Sequence, residues 1–145
     1  MTAATPHFSA VARQMLLHES AGELTTVACT RATASLHNRL RERLAPLVGS
    51  AGMRALFARA VKVTHVDFAA LAIVRAATLD ENANAADSLT AALAALDSAA
   101  AWAAATALFA NFLELTSSLI GERLVFVVLK RAFPNVDVIA KQESD

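Results

Sequence analysis

A lone cysteine, Cys29, cannot close a disulfide within its own chain. Without a second thiol there is no redox pair and no zinc knuckle to build. Tyrosine is missing and aromatic residues make up only 6% of the chain, so aromatic-rich strands and base-stacking surfaces have little to draw on. Four glycines and three prolines leave few breaks in 145 residues. The opening Met1-Thr2-Ala3-Ala4-Thr5-Pro6-His7 has neither the basic stretch nor the apolar run of a secretory signal, and with one unpaired thiol this makes the cytoplasm the expected compartment. A long apolar run is wanting as well. Residues 99–113 are nearly free of charge, but they are largely alanine, include Thr106 and Asn111, and meet Glu114 before about 20 apolar residues accumulate, so no membrane span is expected.

What is present favours helix. The apolar fraction is 56%, much of it alanine, and Ala, Leu and Arg are among the best helix formers. The length suits one domain over residues 1–145, with 1–5 and 135–145 as frayed tails. The expected fold is all-α, a single-domain bundle of five to seven helices built from helix hairpins.

Thr5-Pro6 reads as an N-cap with proline at the first helical position, opening a helix through Phe8, Val11 and Met15 to Glu19–Gly22. Between Leu24 and Val48, the positions Cys29, Thr33, Leu36, Leu40, Leu44 and Leu47 recur at steps of three and four and form a core stripe. Gly49 ends this helix, with Pro46 close by, and Ser50 starts the next, whose apolar face is Met53, Leu56, Phe57, Ala60, Val61 and Val63. Thr64 to Asp67 is expected to start a fourth helix through Leu71 and Val74. After the polar loop Asp80-Glu81-Asn82-Ala83-Asn84, Asp87 or Ser88 is expected to cap a short helix to Leu96. Asp97 or Ser98 then caps the central helix, which runs to Ile120. Its wide apolar arc includes Trp102, Phe109, Phe112 and Leu119, opposite a polar strip of Asn111, Glu114 and Ser118. Gly121 breaks it. Residues 124–129 are apolar on every side and are read as helix, with buried strand as the rival.

Residues 47–60 align without gaps to residues 119–132, identical at Leu, Gly, Arg and Ala and apolar in both copies at five further positions. Both copies read as helix, glycine break, helix, the mark of an internal duplication, although alanine-rich helices also match by chance.

Charge is divided between the halves. Residues 1–75 hold nine Lys/Arg and four Asp/Glu, while residues 76–145 hold four and nine, in a chain of formal net charge zero. Such a molecule can satisfy its own field, within one subunit or head to tail with a copy. The basic stretch Arg31, Arg39, Arg41, Arg43, Arg54, Arg59 and Lys62 also suggests nucleic acid. Its helical angles scatter and no aromatics interleave, which counts against that partner.

Groups able to do chemistry are few. His7, His18, His37 and His65 form no pair at metal-ligand spacing, and no histidine follows His65 to serve as a late axial haem ligand. His37 resembles the helical histidine of phosphotransfer and sensor-kinase bundles, but Asn38 and Arg39 depart from the acidic and basic offsets of that pattern. Asp80, Asn82 and Asn84 occupy the first, third and fifth places of a calcium loop. Ala85 and Ala91 stand where that loop requires glycine and glutamate, so the segment reads as a linker. No catalytic, cofactor or metal residue is assigned.

The expected function is therefore non-enzymatic: a helical protein–protein interaction or regulatory domain, self-associating as a homodimer or binding a helical protein partner, with residues 124–129 as core or interface. One alternative is a sensor or carrier for a small apolar molecule held between helices near Trp102, Phe109 and Phe112. Another is nucleic-acid binding through the Arg31 to Lys62 stretch. An enzyme would require His37, His65 or Glu114 to meet another ionisable group in a cleft.

Overall fold

Thr25 and Asp97 open the two longest helical stretches in the same way. The Thr25 hydroxyl accepts from the amide of Ala28 at 3.0 Å, and the Asp97 carboxylate accepts from the amide of Ala100 at 2.8 Å, each supplying an acceptor to an amide with no intrahelical partner. The structure, a computed structural model, describes residues 6–78 and 84–136. Its elements are α1 (Pro6–Ser20), α2 (Thr26–His65), a 3-10 turn (Ala69–Leu71), α3 (Ala72–Thr78), α4 (Ala85–Ala94), α5 (Ser98–Ile120) and α6 (Glu122–Ala132). The expected all-α bundle is what forms, with no strand among the described residues, and residues 124–129 lie in α6.

α2 is two limbs rather than one rod. Gly49 leaves helical geometry at φ 80° and ψ 161°, dividing the helix into residues 26–48 and 50–65. Gly121, between α5 and α6, adopts nearly the same conformation at φ 96° and ψ 141°. Backbone of this kind is almost confined to glycine. The repeat is therefore longer than residues 47–60 suggest. The cap, a 23-residue helix, the glycine corner and a second helix all recur after 72 residues, from Thr25 to Asp97 and from Gly49 to Gly121. Burial follows the same offset: Cys29 and Ala101, Ala32 and Ala104, Leu36 and Leu108, Leu40 and Phe112, Met53 and Val125, and Phe57 and Leu129 are all buried.

The first limb of α2 and α5 run side by side in the same direction. At their starts the Trp102 indole donates to the Leu24 carbonyl at 2.9 Å and the Thr26 hydroxyl donates to the Leu96 carbonyl at 3.2 Å. Midway, His37 and Leu40 share an apolar nook with Phe109 and Phe112. α1 packs on α2 and α5, α4 on α2 and α3, and α6 on α5. α5 is long and apolar enough to cross a membrane by length and composition, but half of its most apolar window is buried in this packing.

Several positions differ from the expected pattern. Asn111 is not on an outer polar strip; it is 6% exposed and donates to the Thr64 hydroxyl at 2.9 Å. Thr64 does not start a helix. It lies inside α2, where its hydroxyl donates back to the Ala60 carbonyl, and the chain re-enters helix only through the 3-10 turn. α4 is capped by Asn84, which accepts from the Asp87 amide at 3.2 Å, so Asp87 is its first-turn acid rather than its cap. Leu47 and Leu119 are exposed although the stripes include them, because each stands two residues before a corner glycine, where the next limb turns away and covers nothing beyond it. Val125, Phe126 and Leu129 are core, whereas Leu124 faces solvent. Within the tail expected from 135, Val136 is packed in, 4% exposed with its amide donating to the Phe133 carbonyl. The tails 1–5 and 137–145, the Thr5 cap and the loop residues Asp80 and Asn82 lie outside the described residues.

The opposite charge of the two halves is not what draws α1 onto α2. Glu19 and Arg39, paired at 3.5 Å, both belong to the basic half, and the Glu19 side chain is 3% exposed. Ser35 donates to the same carboxylate, and the Arg39 guanidinium lies 5.1 Å from the Phe133 ring.

Candidate functional site

Three walls meet along one side of α2. The first limb contributes Ala34, His37, Asn38 and Arg41, and the corner sends the second limb back so that Ser50, Met53, Arg54 and Phe57 face them. The third wall is the end of α3 and the start of α4, including Thr78, Asn84 and Asp87. The space between is a groove of about 1060 Å³, open along its length. It exists because of Gly49: in one straight helix Arg41 and Arg54 would lie about 20 Å apart at a rise of 1.5 Å per residue.

Its floor is apolar and its rim is basic. Met53 and Phe57 are buried at the base, and seven alanines leave the walls low. Arg41 and Arg54 are both exposed. Arg41 donates to the Asn38 side-chain carbonyl at 3.3 Å, and neither guanidinium meets a carboxylate among the described residues. Asp87 is the groove's one acidic residue among those described, on the opposite wall and exposed.

His37 stands where the groove meets the core. Its ring packs edge-on against Phe57 with centroids 4.9 Å apart, and the pair separates the groove from the nook lined by Leu40, Phe109 and Phe112. Burial lowers the His37 pKa from its usual range, and the positive charge of Arg41 lowers it further. The nook itself has no room for a water molecule. It is smaller than the roughly 300 Å³ at which small-molecule sites begin.

The groups singled out from the sequence are dispersed. Of the seven basic residues between 31 and 62, only Arg41 and Arg54 enter the groove, while Arg39 is engaged with Glu19, Phe133 and the Ala132 carbonyl. Glu114 and His65 are half-buried and line neither space. His18 packs edge-on against Phe133, and the His7 side chain is outside the described residues. Trp102 is engaged with Leu24, away from the Phe109 and Phe112 nook. Among the described residues no three His, Cys, Asp or Glu side chains gather where they could hold a metal ion. Convergence of Arg41 with Arg54 was hidden in the sequence because helical angles cannot be compared across a corner. Gly49 was the available signal, and it gives the break without its direction.

No family model matches the chain, and neither a curated protein nor a solved structure is similar to it.

Proposed function

We propose that the protein is a non-enzymatic interaction domain that seats a helix of a partner protein in the groove between the limbs of α2 and the α3–α4 segment. The observation that carries this reading is the groove itself, apolar at Met53 and Phe57, walled by small side chains and rimmed by arginines that meet no carboxylate among the described residues. A helix is about 10 Å across with its side chains, so 1060 Å³ accommodates roughly nine residues of one, about two and a half turns. Docking of an amphipathic helix into an apolar groove is a common recognition mode, with anchors at helical spacing. Small walls let a helix backbone approach, and an open trough suits a long ligand better than the closed chamber a small apolar molecule needs.

The test is selection of helical peptides displayed on yeast against the purified protein, with counter-selection against Ala55→Trp. Ala55 is exposed and lines the groove, so the indole obstructs it without entering the core. Helical binders that lose affinity for Ala55→Trp support the proposal. Binders indifferent to the substitution place recognition elsewhere and defeat it.

Self-association is a second reading, favoured by a separate observation. Leu47, Leu119 and Leu124 are exposed beside the two corners, which the parallel course of α2's first limb and α5 brings to one end of the molecule. Light scattering after size exclusion tests it: a dimer that Leu47→Asp with Leu119→Asp converts to monomer supports it, and a monomer at high concentration overturns it.

A further inference from the structure

We infer that α2 carries a proton-operated corner: when the His37 ring takes up a proton from solvent, the second limb loosens where it lies against the first, while the equivalent corner at Gly121 stays closed. The device consists of contacts within α2 and does not depend on the helix seat.

Each corner folds a second limb back on the long helix before it, and the side chains between them decide how firmly it is held. At the Gly49 corner, His37 from the first limb and Phe57 from the second meet edge-on with centroids 4.9 Å apart, beside the nook lined by Leu40, Met53, Phe109 and Phe112. At the offset of 72 residues the counterparts of His37 and Phe57 are Phe109 and Leu129, and those of Leu40 and Met53 are Phe112 and Val125. All four counterparts are apolar and at most 2% exposed. His37 is thus the one titratable side chain at these positions, and it stands at only one of the two corners.

The ring sits where a proton is unwelcome. Among the described residues no hydrogen bond reaches it, and α5 presents to it only Phe109 and Phe112. Arg41, one turn further along the first limb, lines the same space, as do Arg54 from the second limb and Asp87 from α4. Arg54 and Asp87 are both exposed, so water screens them. Burial first and the Arg41 charge second lower the His37 pKa, so the exposed Asp87 does not outweigh them. A charged imidazole is better accommodated in water than against Phe57. When it swings out, Phe57 loses the ring that braces it and the nook loses one of its walls.

Gly49 lets the limb respond. Its φ is 80°, and a Cβ built there meets no atom within 4 Å, so nothing packed beside the corner fixes its angle. The far end of the limb is pinned, because the Thr64 hydroxyl accepts from Asn111 at 2.9 Å. Loosening is therefore confined to the stretch between Gly49 and Phe57 and the turn that follows.

The test is amide hydrogen exchange read by NMR on the full chain, above and below the His37 midpoint, with each rate expressed as protection relative to an unstructured chain at the same pH. The same spectra follow the His37 ring. Below the midpoint, protection of residues 55–58 is expected to fall at least threefold, while residues 127–130 of α6 keep theirs. His37→Phe, which installs the counterpart residue, and His37→Gln, which keeps a polar group without a proton to gain, should each abolish the fall. Arg41→Ala should move the fall to higher pH together with the midpoint. Equal loss at both corners overturns the inference, since that is ordinary acid unfolding. So does a fall that persists in both His37 variants, or unchanged protection once the ring has titrated. A ring that stays neutral until the whole chain unfolds overturns it too, as does a midpoint above the ordinary histidine range, the sign of an imidazolium held by the Phe57 ring rather than expelled from it.

Discussion

Arg39 and Asn111, equivalent residues 72 positions apart, each tie a long helix to the end of the limb that follows the other corner. Arg39 donates to the Ala132 carbonyl at the end of α6, at 3.2 Å. Asn111 donates to the Thr64 hydroxyl at 2.9 Å, and that hydroxyl in turn donates to the carbonyl of Ala60, the counterpart of Ala132. The two repeats are thus fastened crosswise, each corner held shut by the other half's long helix.

The two ties differ in their surroundings. Asn111 is 6% exposed, whereas the Arg39 side chain is 39% exposed. Asn111→Leu is expected to destabilise the fold by about 1–3 kcal/mol, the cost of stranding a buried hydrogen-bonding group, and Arg39→Ala by about 1 kcal/mol or less. Urea denaturation of both variants checks the order. An Asn111→Leu protein as stable as wild type would show that the crosswise tie contributes nothing.

At the corners the cost is conformational. A Cβ built at Gly49 or Gly121 meets no atom within 4 Å, so Gly49→Ala and Gly121→Ala introduce backbone strain without steric conflict. Each is expected to cost about 1–3 kcal/mol, the usual range for a side chain held in such a conformation. Because the two glycines have nearly the same φ and ψ, the two costs should match within about 1 kcal/mol. Urea midpoints are the measurement, and an alanine tolerated without loss at either corner would mean that its limbs can relax to another angle.

What could be read in the sequence was what depends on neighbours a few residues away. The Asp97 cap, the glycine breaks and the buried run Cys29, Leu36, Leu40 and Leu44 follow from local chemistry and helical period, and all appear in the structure. Asn111 could not be placed, because its partner Thr64 arrives only after α2 has turned at Gly49. The α4 cap was expected at Asp87 or Ser88, whereas Asn84, a residue of the same capping type one turn earlier, fills the role, and residue type alone does not choose between them. The groove depends on the direction of the turn at Gly49, which a pattern of residue types does not encode, so neither Arg41 nor Arg54 stood out from the other basic residues on α2.

Acid should weaken the fold through His37. Its pKa is lowered first by burial and then by Arg41, so the folded state favours the neutral ring. A group with a depressed folded-state pKa contributes its full stability above the unfolded value of about 6.5 and loses it as pH falls from there through the folded value. Wild type is therefore expected to lose stability below about pH 6.5 relative to His37→Phe, which carries the residue found at the equivalent position 109. In an NMR titration, Arg41→Ala should raise the His37 midpoint. A wild-type midpoint at or above the ordinary histidine range would remove the basis for both expectations.

Cys29 offers a reporter of whether the repeats open separately. It is fully buried, and burial raises the pKa of its thiol against a smaller opposing effect of Thr33. Since the thiolate is the reacting species, native Cys29 faces two barriers, loss of access and loss of ionisation. Ellman's reagent should therefore label it only when the structure opens, immediately in concentrated urea and slowly in buffer. If that opening is global unfolding and reclosing outpaces labelling, Gly49→Ala and Gly121→Ala should both accelerate the reaction by the factor their destabilisation implies, roughly 5- to 150-fold for 1–3 kcal/mol. Acceleration by Gly49→Ala alone would instead show that α2 opens without α5, and the crosswise fastening through Arg39 and Asn111 would then not bind the two halves into one cooperative unit.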